Sequence, residues 1–90
     1  MKTKRTIANV LFPRVRAELL RLLFAGSQKE YYVRELMIKT GLALRTVQEE
    51  LAKLRRVDLV RTRTNGYHRF YEANREHPLY LHLHQIVQDK

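Results

Sequence analysis

Cysteine is absent from this chain of 90 residues, and glycine and proline occur only three times and twice. The lack of cysteine excludes disulfides, thiolate metal sites, iron–sulfur clusters and cysteine nucleophiles. Long apolar runs are also missing. The longest, Leu22 to Ala25, has four residues, whereas a membrane-spanning helix requires about 20. The sequence therefore predicts a protein without disulfides and without a membrane span.

Signatures of catalysis and of cofactor binding are missing as well. Gly26, Gly41 and Gly66 are too widely spaced for a phosphate-cradling loop, and the sequence has neither a nucleophile elbow nor a paired-histidine zinc motif. His82 and His84 would point about 200° apart on a helix, whereas metal ligands that share a helix face are three or four residues apart. We expect no enzyme, no cofactor and no metal site.

What the sequence has in excess is positive charge. Lysine and arginine number 18 against 9 aspartates and glutamates, which gives a formal net charge of +9 and a sequence pI near 10.4. Such a surplus attracts polyanions through its long-range field and through the release of counterions, so nucleic acid is the first candidate ligand. A chain of this length forms one domain with a marginal core, and we expect a second subunit to support it.

The first third of the chain predicts a basic N-terminal arm over 1–12 and then a helix. The basic residues of the arm are Lys2, Lys4 and Arg5. From Pro13 to Gly26, apolar residues recur at the spacing that forms one stripe on a helix: Val15, Leu19, Leu22 and Leu23. A polar connection over 27–30 follows, and then a short β-prone patch of Tyr31, Tyr32 and Val33. The second helix comes after this patch and ends near Gly41.

A third helix is predicted over about 44–56. Its apolar stripe consists of Leu44, Val47, Leu51 and Leu54. The connection around Gly41 has only about three or four residues, which is the length of a helix-turn-helix connection.

The last third predicts a β-hairpin and a final helix. Two segments rich in β-branched and aromatic residues, 59–64 and 68–71, flank Asn65-Gly66, a pair that is typical of tight hairpin turns. Pro78 can start a last helix over about 78–90. The complete order is that of a winged helix-turn-helix domain over 13–90, mainly α with a small β-hairpin (α+β).

In a helix-turn-helix, the second helix of the pair enters the major groove of DNA. With the apolar stripe turned inward, the residues expected to face DNA are Arg45, Thr46, Gln48, Glu49 and Lys53. Arginine, glutamine and glutamate can pair with guanine, adenine and cytosine, and each good pair discriminates by about 1–3 kcal/mol. The alternative is that these are ordinary solvated residues of an exposed helix.

The hairpin, 61–69, is the predicted wing. The residues expected to touch DNA there are Arg61, Arg63, Asn65 and Arg69. Strand alternation puts Arg61 and Arg63 on one face, and we expect the return strand to bring Arg69 near them, with only Glu72 nearby. Such a basic ribbon suits phosphates or a minor groove. The alternative is a charged edge hairpin that prevents strand-to-strand aggregation.

The final helix is too short to be stable alone and must pack on something. Its apolar residues share one face: Leu79, Leu83, Ile86 and Val87. We expect this face, together with the first helix, to join two copies of the chain.

From Leu11 to Lys90 the chain resembles the small ArsR-like winged helix-turn-helix regulators of bacteria and archaea, especially the subgroup associated with minimal nucleotidyltransferases. The resemblance rests on Tyr32-Val33-Arg34-Glu35-Leu36, on Gly41-Leu42 followed by Thr46-Val47-Gln48-Glu49-Glu50-Leu51, and on Phe70-Tyr71-Glu72-Ala73-Asn74 with His77-Pro78-Leu79-Tyr80. It implies binding of double-stranded DNA by a homodimer.

Two departures from this family matter. Ala43-Leu44 stands where the family often has Ser-Pro, so a side-chain N-cap and its phosphate contact are missing. The cysteine motif of the family's thiolate metal sensors is also absent, so the resemblance does not imply regulation by a metal.

The leading hypothesis is a cytoplasmic transcriptional regulator, a repressor, that binds a pseudo-palindromic duplex as a homodimer. Its two recognition helices would lie about 34–36 Å apart. The alternative is an interaction module that binds a partner protein, such as a separately encoded nucleotidyltransferase. RNA binding is less favoured, because the sequence shows no single-strand stacking motif and no exposed aromatic sheet.

Overall fold

After one short helix that the sequence does not predict, the helices and strands follow the predicted order. A computed structural model describes residues 6–88 of the chain. Within this range the elements are α1 (Ile7–Leu11), α2 (Arg14–Ala25), β1 (Tyr31–Tyr32), α3 (Val33–Thr40), α4 (Leu44–Arg56), β2 (Val60–Asn65), β3 (His68–Ala73) and α5 (Tyr80–Gln88). The order α2-β1-α3-α4-β2-β3-α5, with a hairpin after two helices joined by a tight turn, is that of a winged helix fold, so the predicted fold class is confirmed.

The sheet has the strand order β1-β3-β2, and both pairings are antiparallel. β2 and β3 pair along their whole length, from Val60 opposite Ala73 to Asn65 opposite His68. β1 adds only two pairs, Tyr31 with Tyr71 and Tyr32 with Phe70. Paired residues share a face, and the face with Val60, Tyr71 and Ala73 is buried against the helices.

Helix α2 is the centre of the core, since it packs against each of the other helices and against β3. Its buried side chains include Leu19, Leu20, Leu23 and Phe24. The other helices contribute Leu36, Val47, Leu51, Leu54, Leu83 and Val87. Full burial of such a side chain stabilises the fold by about 1.5–3 kcal/mol relative to leaving it exposed.

The turn between α3 and α4 depends on Gly41. This residue has a φ of 74°, in the left-handed region that glycine adopts without strain. Its N–H donates to the carbonyl of Met37 at 2.8 Å and ends α3. Three residues, 41–43, then separate α3 from α4, which matches the predicted helix-turn-helix connection.

The buried face of α4 differs from the predicted stripe at one end. Leu44 is 44% exposed, whereas Val47, Leu51 and Leu54 are buried as expected. Leu44 is the first residue of the helix, one turn before the part that packs on the core. Glu50, at helical spacing from Val47 and Leu54, is buried although it carries a charge.

The predicted arm is wrong from residue 6 onward, because Ile7–Leu11 forms helix α1. The hydroxyl of Thr6 caps this helix by accepting from the backbone N–H of Asn9 at 3.1 Å, and Ala8 is completely buried. Five residues are too few to display a helical stripe, so the sequence pattern does not reveal α1. The predicted basic cluster of Lys2, Lys4 and Arg5 lies outside the described residues.

Helix α5 begins two residues after Pro78 and packs along α2. No helix within residues 6–88 is both long and apolar enough to cross a membrane.

Candidate nucleic-acid interface

The outward face of α4 carries the polar residues that the sequence predicts to face DNA. The side chain of Arg45 is 89% exposed, and Gln48, Glu49 and Lys53 are exposed as well. Thr46 is half-buried. The Nε of Arg45 donates to Oε2 of Glu49 at 3.2 Å, one helical turn along. Exposed pairs of this kind contribute only about 0.3–0.5 kcal/mol, so both side chains are available to a ligand.

The first turn of α4 is not capped by a side chain. Its N-cap is Ala43, which has extended backbone and no side-chain acceptor. The N–H groups of the first turn, next to Arg45, therefore keep their partial positive charge, which favours an anion near this end of the helix.

A buried ion pair holds α4 against α2. The guanidinium of Arg16 donates to Oε2 of Glu50, whose side chain is only 8% exposed, and Nζ of Lys53 lies 3.9 Å from the other carboxylate oxygen. Lys53, predicted to face DNA, is therefore also a partner of this carboxylate. Glu50 is not among the residues selected from the sequence, although its spacing from Val47 and Leu54 places it within the buried stripe.

The wing has a different turn from the predicted one. Asn65 pairs with His68, so the two loop residues are Gly66 and Tyr67 rather than Asn65 and Gly66. Gly66 has a φ of 66°, and among residues 6–88 Asp58 is the only non-glycine with a positive φ. A positive φ at the first loop residue alone is the pattern of a type II′ turn, for which glycine is preferred at that position.

This turn places the wing arginines on two faces. Arg61 is opposite Glu72 and Arg63 is opposite Phe70, on the outer face of the sheet. Arg69 is opposite Thr64 and belongs to the other face, so the prediction that it joins Arg61 and Arg63 is wrong. The physical reason is that, with a two-residue loop, each odd-numbered residue of β2 is opposite an even-numbered residue of β3. Arg69 therefore cannot share a face with Arg61 and Arg63, whichever two residues form the loop.

Carboxylates neutralise the two arginines of the outer face. Arg61 Nη2 lies 3.0 Å from Oε1 of Glu76. Arg63 makes two hydrogen bonds to Glu30, and its guanidinium lies over the Phe70 ring, 4.6 Å from the centroid. The hydrogen bonding to Glu30 raises the pKa of Arg63. The sequence predicts only Glu72 near the wing arginines, and it misses both carboxylates because they come from segments outside the hairpin.

A concavity of about 620 Å³ separates α4 from the wing. We call it the wing groove. Its walls include Tyr32, Arg34, Gln48, Tyr67, His68 and Arg69. Arg34 is not among the residues selected from the sequence, since nothing in its local pattern connects the start of α3 with the wing.

The predicted dimer residues divide into two groups. Leu83 and Val87 are buried in the protomer's own core, so they do not form an exposed contact face, and Ile86 packs beside that core. Leu79 is half exposed. The exposed apolar residues near this end of the molecule are Ile7, Val10, Leu11, Leu79 and Leu81, and they lie on or beside α1 and α5, which pack on each other. We call these five residues the terminal apolar patch.

Two solved structures are similar to this fold. The transcriptional repressor BigR from Xylella fastidiosa matches with a TM-score of 0.74 and 27% sequence identity, over 91% of this chain and 77% of that chain. A possible transcriptional regulatory protein from Mycobacterium bovis, as a fragment of residues 1–100, matches with a TM-score of 0.58 and 29% identity, over 83% of this chain and 84% of that chain. No protein-family model and no curated protein matches the chain. The structural similarity supports a DNA-binding regulator of transcription rather than an enzyme.

Proposed function

We propose that the chain is a sequence-specific repressor that binds double-stranded DNA in the cytoplasm as a homodimer. The observation that carries this proposal is the position of the exposed polar face of α4 beside the wing, with residues of both lining one groove. A helix of this kind fits the major groove while the adjoining hairpin reaches the flanking backbone.

Base reading falls to the first half of α4. Arg45 and Gln48 carry the donors that suit guanine and adenine, and Glu49 carries an acceptor that suits cytosine. Because the pair between Arg45 and Glu49 is exposed and weak, base contacts replace it at little cost. Thr46 and Lys53 lie beside these residues and contribute contacts to the DNA backbone.

The wing supplies backbone contacts that do not depend on sequence. Arg69 contributes most, since it forms no ion pair with a described carboxylate. Arg63 contributes less, because DNA must compete for it with Glu30, which accepts two hydrogen bonds from it. The pair of Arg61 with Glu76 is exposed and weak, so DNA displaces Glu76 at little cost. Asn65, at the exposed end of β2, completes the wing contact.

A second copy of the chain covers the terminal apolar patch. Val10 is 73% exposed and Leu81 is 67% exposed, on two helices that pack on each other. Exposure of neighbouring apolar side chains is unfavourable on the surface of a monomer and is typical of an interaction surface. The contact uses α1 and α5 rather than α2, the first helix predicted from the sequence, because the apolar side chains of α2 fill the core. An isologous contact of this kind would present two α4 helices to one pseudo-palindromic site.

The experiment that tests the function is selection from a random duplex library over 50–200 mM salt, with the mass of the free protein measured by light scattering. We expect a motif of two half-sites whose centres are about 10 to 10.5 base pairs apart, bound by a dimer. Binding that is blind to sequence and abolished by salt would contradict a sequence-specific repressor. A monomer that forms a stoichiometric complex with a different protein would instead favour the interaction module.

The role of α4 is tested by Arg45→Ala on the selected duplex and on duplexes with one base pair changed in each half-site. We expect the variant to lose about 1–3 kcal/mol of discrimination at one position of each half-site and to keep it elsewhere. Arg75→Ala is the matched control, because Arg75 lies beyond the end of β3 and near Tyr80 of α5, away from the wing loop. If Arg45→Ala and Arg75→Ala both keep the full preference, Arg45 does not read the sequence.

A further inference from the structure

The wing groove exists because β1 is short. β1 pairs with β3 only through Tyr31 and Tyr32, and the chain then turns into α3 at Val33. His68 and Arg69, the first two residues of β3, therefore extend past the end of β1. The start of α3 and Gln48 of α4 form the other walls of the space beside them.

The two cations of the groove differ from the other arginines near it. Arg34 and Arg69 are exposed, and neither forms an ion pair with a carboxylate of the described residues. Arg45 and Arg63, by contrast, are each paired with a glutamate. Within the described part of the chain, the residues that line the groove include no aspartate or glutamate. Positive charge is thus uncompensated where the groove opens.

The carboxylate of Glu35, which is nearest to Arg34 in sequence, is engaged in other hydrogen bonds. Glu35 follows Arg34, but its Oε1 accepts from the backbone N–H of Tyr32 at 2.9 Å and its Oε2 from Gln28 at 3.3 Å. The bond to the Tyr32 N–H caps α3. The carboxylate is therefore occupied, and the guanidinium of Arg34 is left to a ligand.

We propose that the wing groove binds a phosphate group through the guanidinium groups of Arg34 and Arg69. A guanidinium presents paired N–H donors that match the oxygens of a phosphate. The phosphate is either a phosphodiester of the DNA backbone or a free phosphate ion. The first source rests on the proposed function, and there the bound phosphodiester would set the register of α4 in the major groove.

The DNA arm of the test compares Arg34→Gln and Arg69→Gln with the wild type, on the selected duplex and on a scrambled duplex of equal length. We expect each variant to bind roughly tenfold more weakly to both duplexes, with a log–log salt slope shallower by about 0.9 for each phosphate that the variant no longer neutralises. Arg75→Gln removes the same charge at the far end of β3 and should stay within about twofold of the wild type. Thermal melting of each variant checks that it is folded.

The second arm uses inorganic phosphate without DNA, titrated against chloride at constant ionic strength. We expect saturable shifts of the side-chain Nε–Hε resonances of Arg34 and Arg69, and the absence of any saturable response in the double variant Arg34→Gln/Arg69→Gln. Such shifts with unchanged DNA affinity in the variants would identify a free phosphate as the ligand. A weakened affinity for DNA without phosphate shifts would assign the groove to the DNA backbone alone.

The two arms also separate this inference from the proposed function. If inorganic phosphate shifts the arginine resonances of a wild-type protein that binds no duplex, the phosphate site is supported and the proposed DNA-binding function is refuted. If the groove variants bind DNA like Arg75→Gln and phosphate causes no shifts, the inference is overturned, even though the protein still binds DNA.

Discussion

The two faces of the wing carry arginines in opposite electrostatic states. On the outer face, Arg61 is paired with Glu76 and Arg63 with Glu30. On the face toward the groove, Arg69 has no ion pair with any carboxylate of the described residues. The same residue type, a few positions apart in one hairpin, is thus neutralised in one case and available in the other.

This difference shows that a count of basic residues overstates the charge that a ligand meets. The formal charge of +9 treats all cations as equal, whereas a ligand interacts strongly only with those that are not already balanced by a neighbouring anion. Sequence distance does not identify these neighbours, because Glu30 lies 33 residues before its partner Arg63.

The largest expected effect is a loss of stability on substitution of Arg16, which is paired with the buried carboxylate of Glu50. Among the described residues, Arg16→Ala leaves the buried carboxylate of Glu50 with Lys53 as its remaining cation, at 3.9 Å. Breaking a fully buried pair costs about 3–5 kcal/mol, and the partial exposure of Arg16 reduces this, so we expect a decrease of about 2–3 kcal/mol in the free energy of unfolding, measured with urea. The matched control is Arg14→Ala on the same helix, since Arg14 is exposed and makes no ion pair with a described residue. It should change stability by less than about 0.5 kcal/mol, and equal decreases would refute the distinction between paired and unpaired arginines.

The sequence predicts much of the fold because several signals are local. The apolar spacing of α2 and α4 predicts both helices nearly to their ends, and Gly41 marks the turn between them. The β-prone patch of Tyr31, Tyr32 and Val33 contains the strand Tyr31–Tyr32, whereas Val33 begins α3. These features depend on residues within one helical turn or one hairpin, so their pattern is visible in the chain itself.

The sequence does not predict contacts between distant segments. Asn74 is buried just after β3 and lies 16 residues beyond Asp58, in the turn between α4 and β2. Its side-chain amide donates to the carbonyl of Asp58 at 2.8 Å and so connects the end of β3 to this turn. A stripe such as Leu83 and Val87 looks the same whether it packs on its own protomer or on a partner. For the same reason, the pairing of Arg63 with Glu30 requires the tertiary structure.

The register of the wing depends on Gly66, and the substitution of this glycine is the second prediction. A Cβ at this position would meet nothing within 4 Å, so the cost of Gly66→Ala is conformational and arises from the φ of 66°. We expect a decrease of about 1–2 kcal/mol in the free energy of unfolding, together with faster hydrogen exchange in β2 and β3. Tyr67→Ala is the control, because Tyr67 is fully exposed and lacks a positive φ. If both variants are as stable as the wild type, the turn does not fix the register.

The smallest expected effect comes from a substitution that converts a paired arginine, Arg63, into an unpaired one. Glu30→Gln removes the anion that holds Arg63 on the outer face, so the guanidinium becomes available to DNA and the affinity should rise roughly threefold, with a steeper salt dependence. Glu18→Gln is the matched control, because it also adds one positive charge to the net but releases Arg21 of α2, which lies 3.2 Å from Glu18. A larger rise for Glu30→Gln than for Glu18→Gln, measured by titration of the selected duplex, would show that carboxylate pairing limits the outer face. An equal rise would mean that DNA responds only to net charge, and no rise would mean that the outer face does not contact DNA.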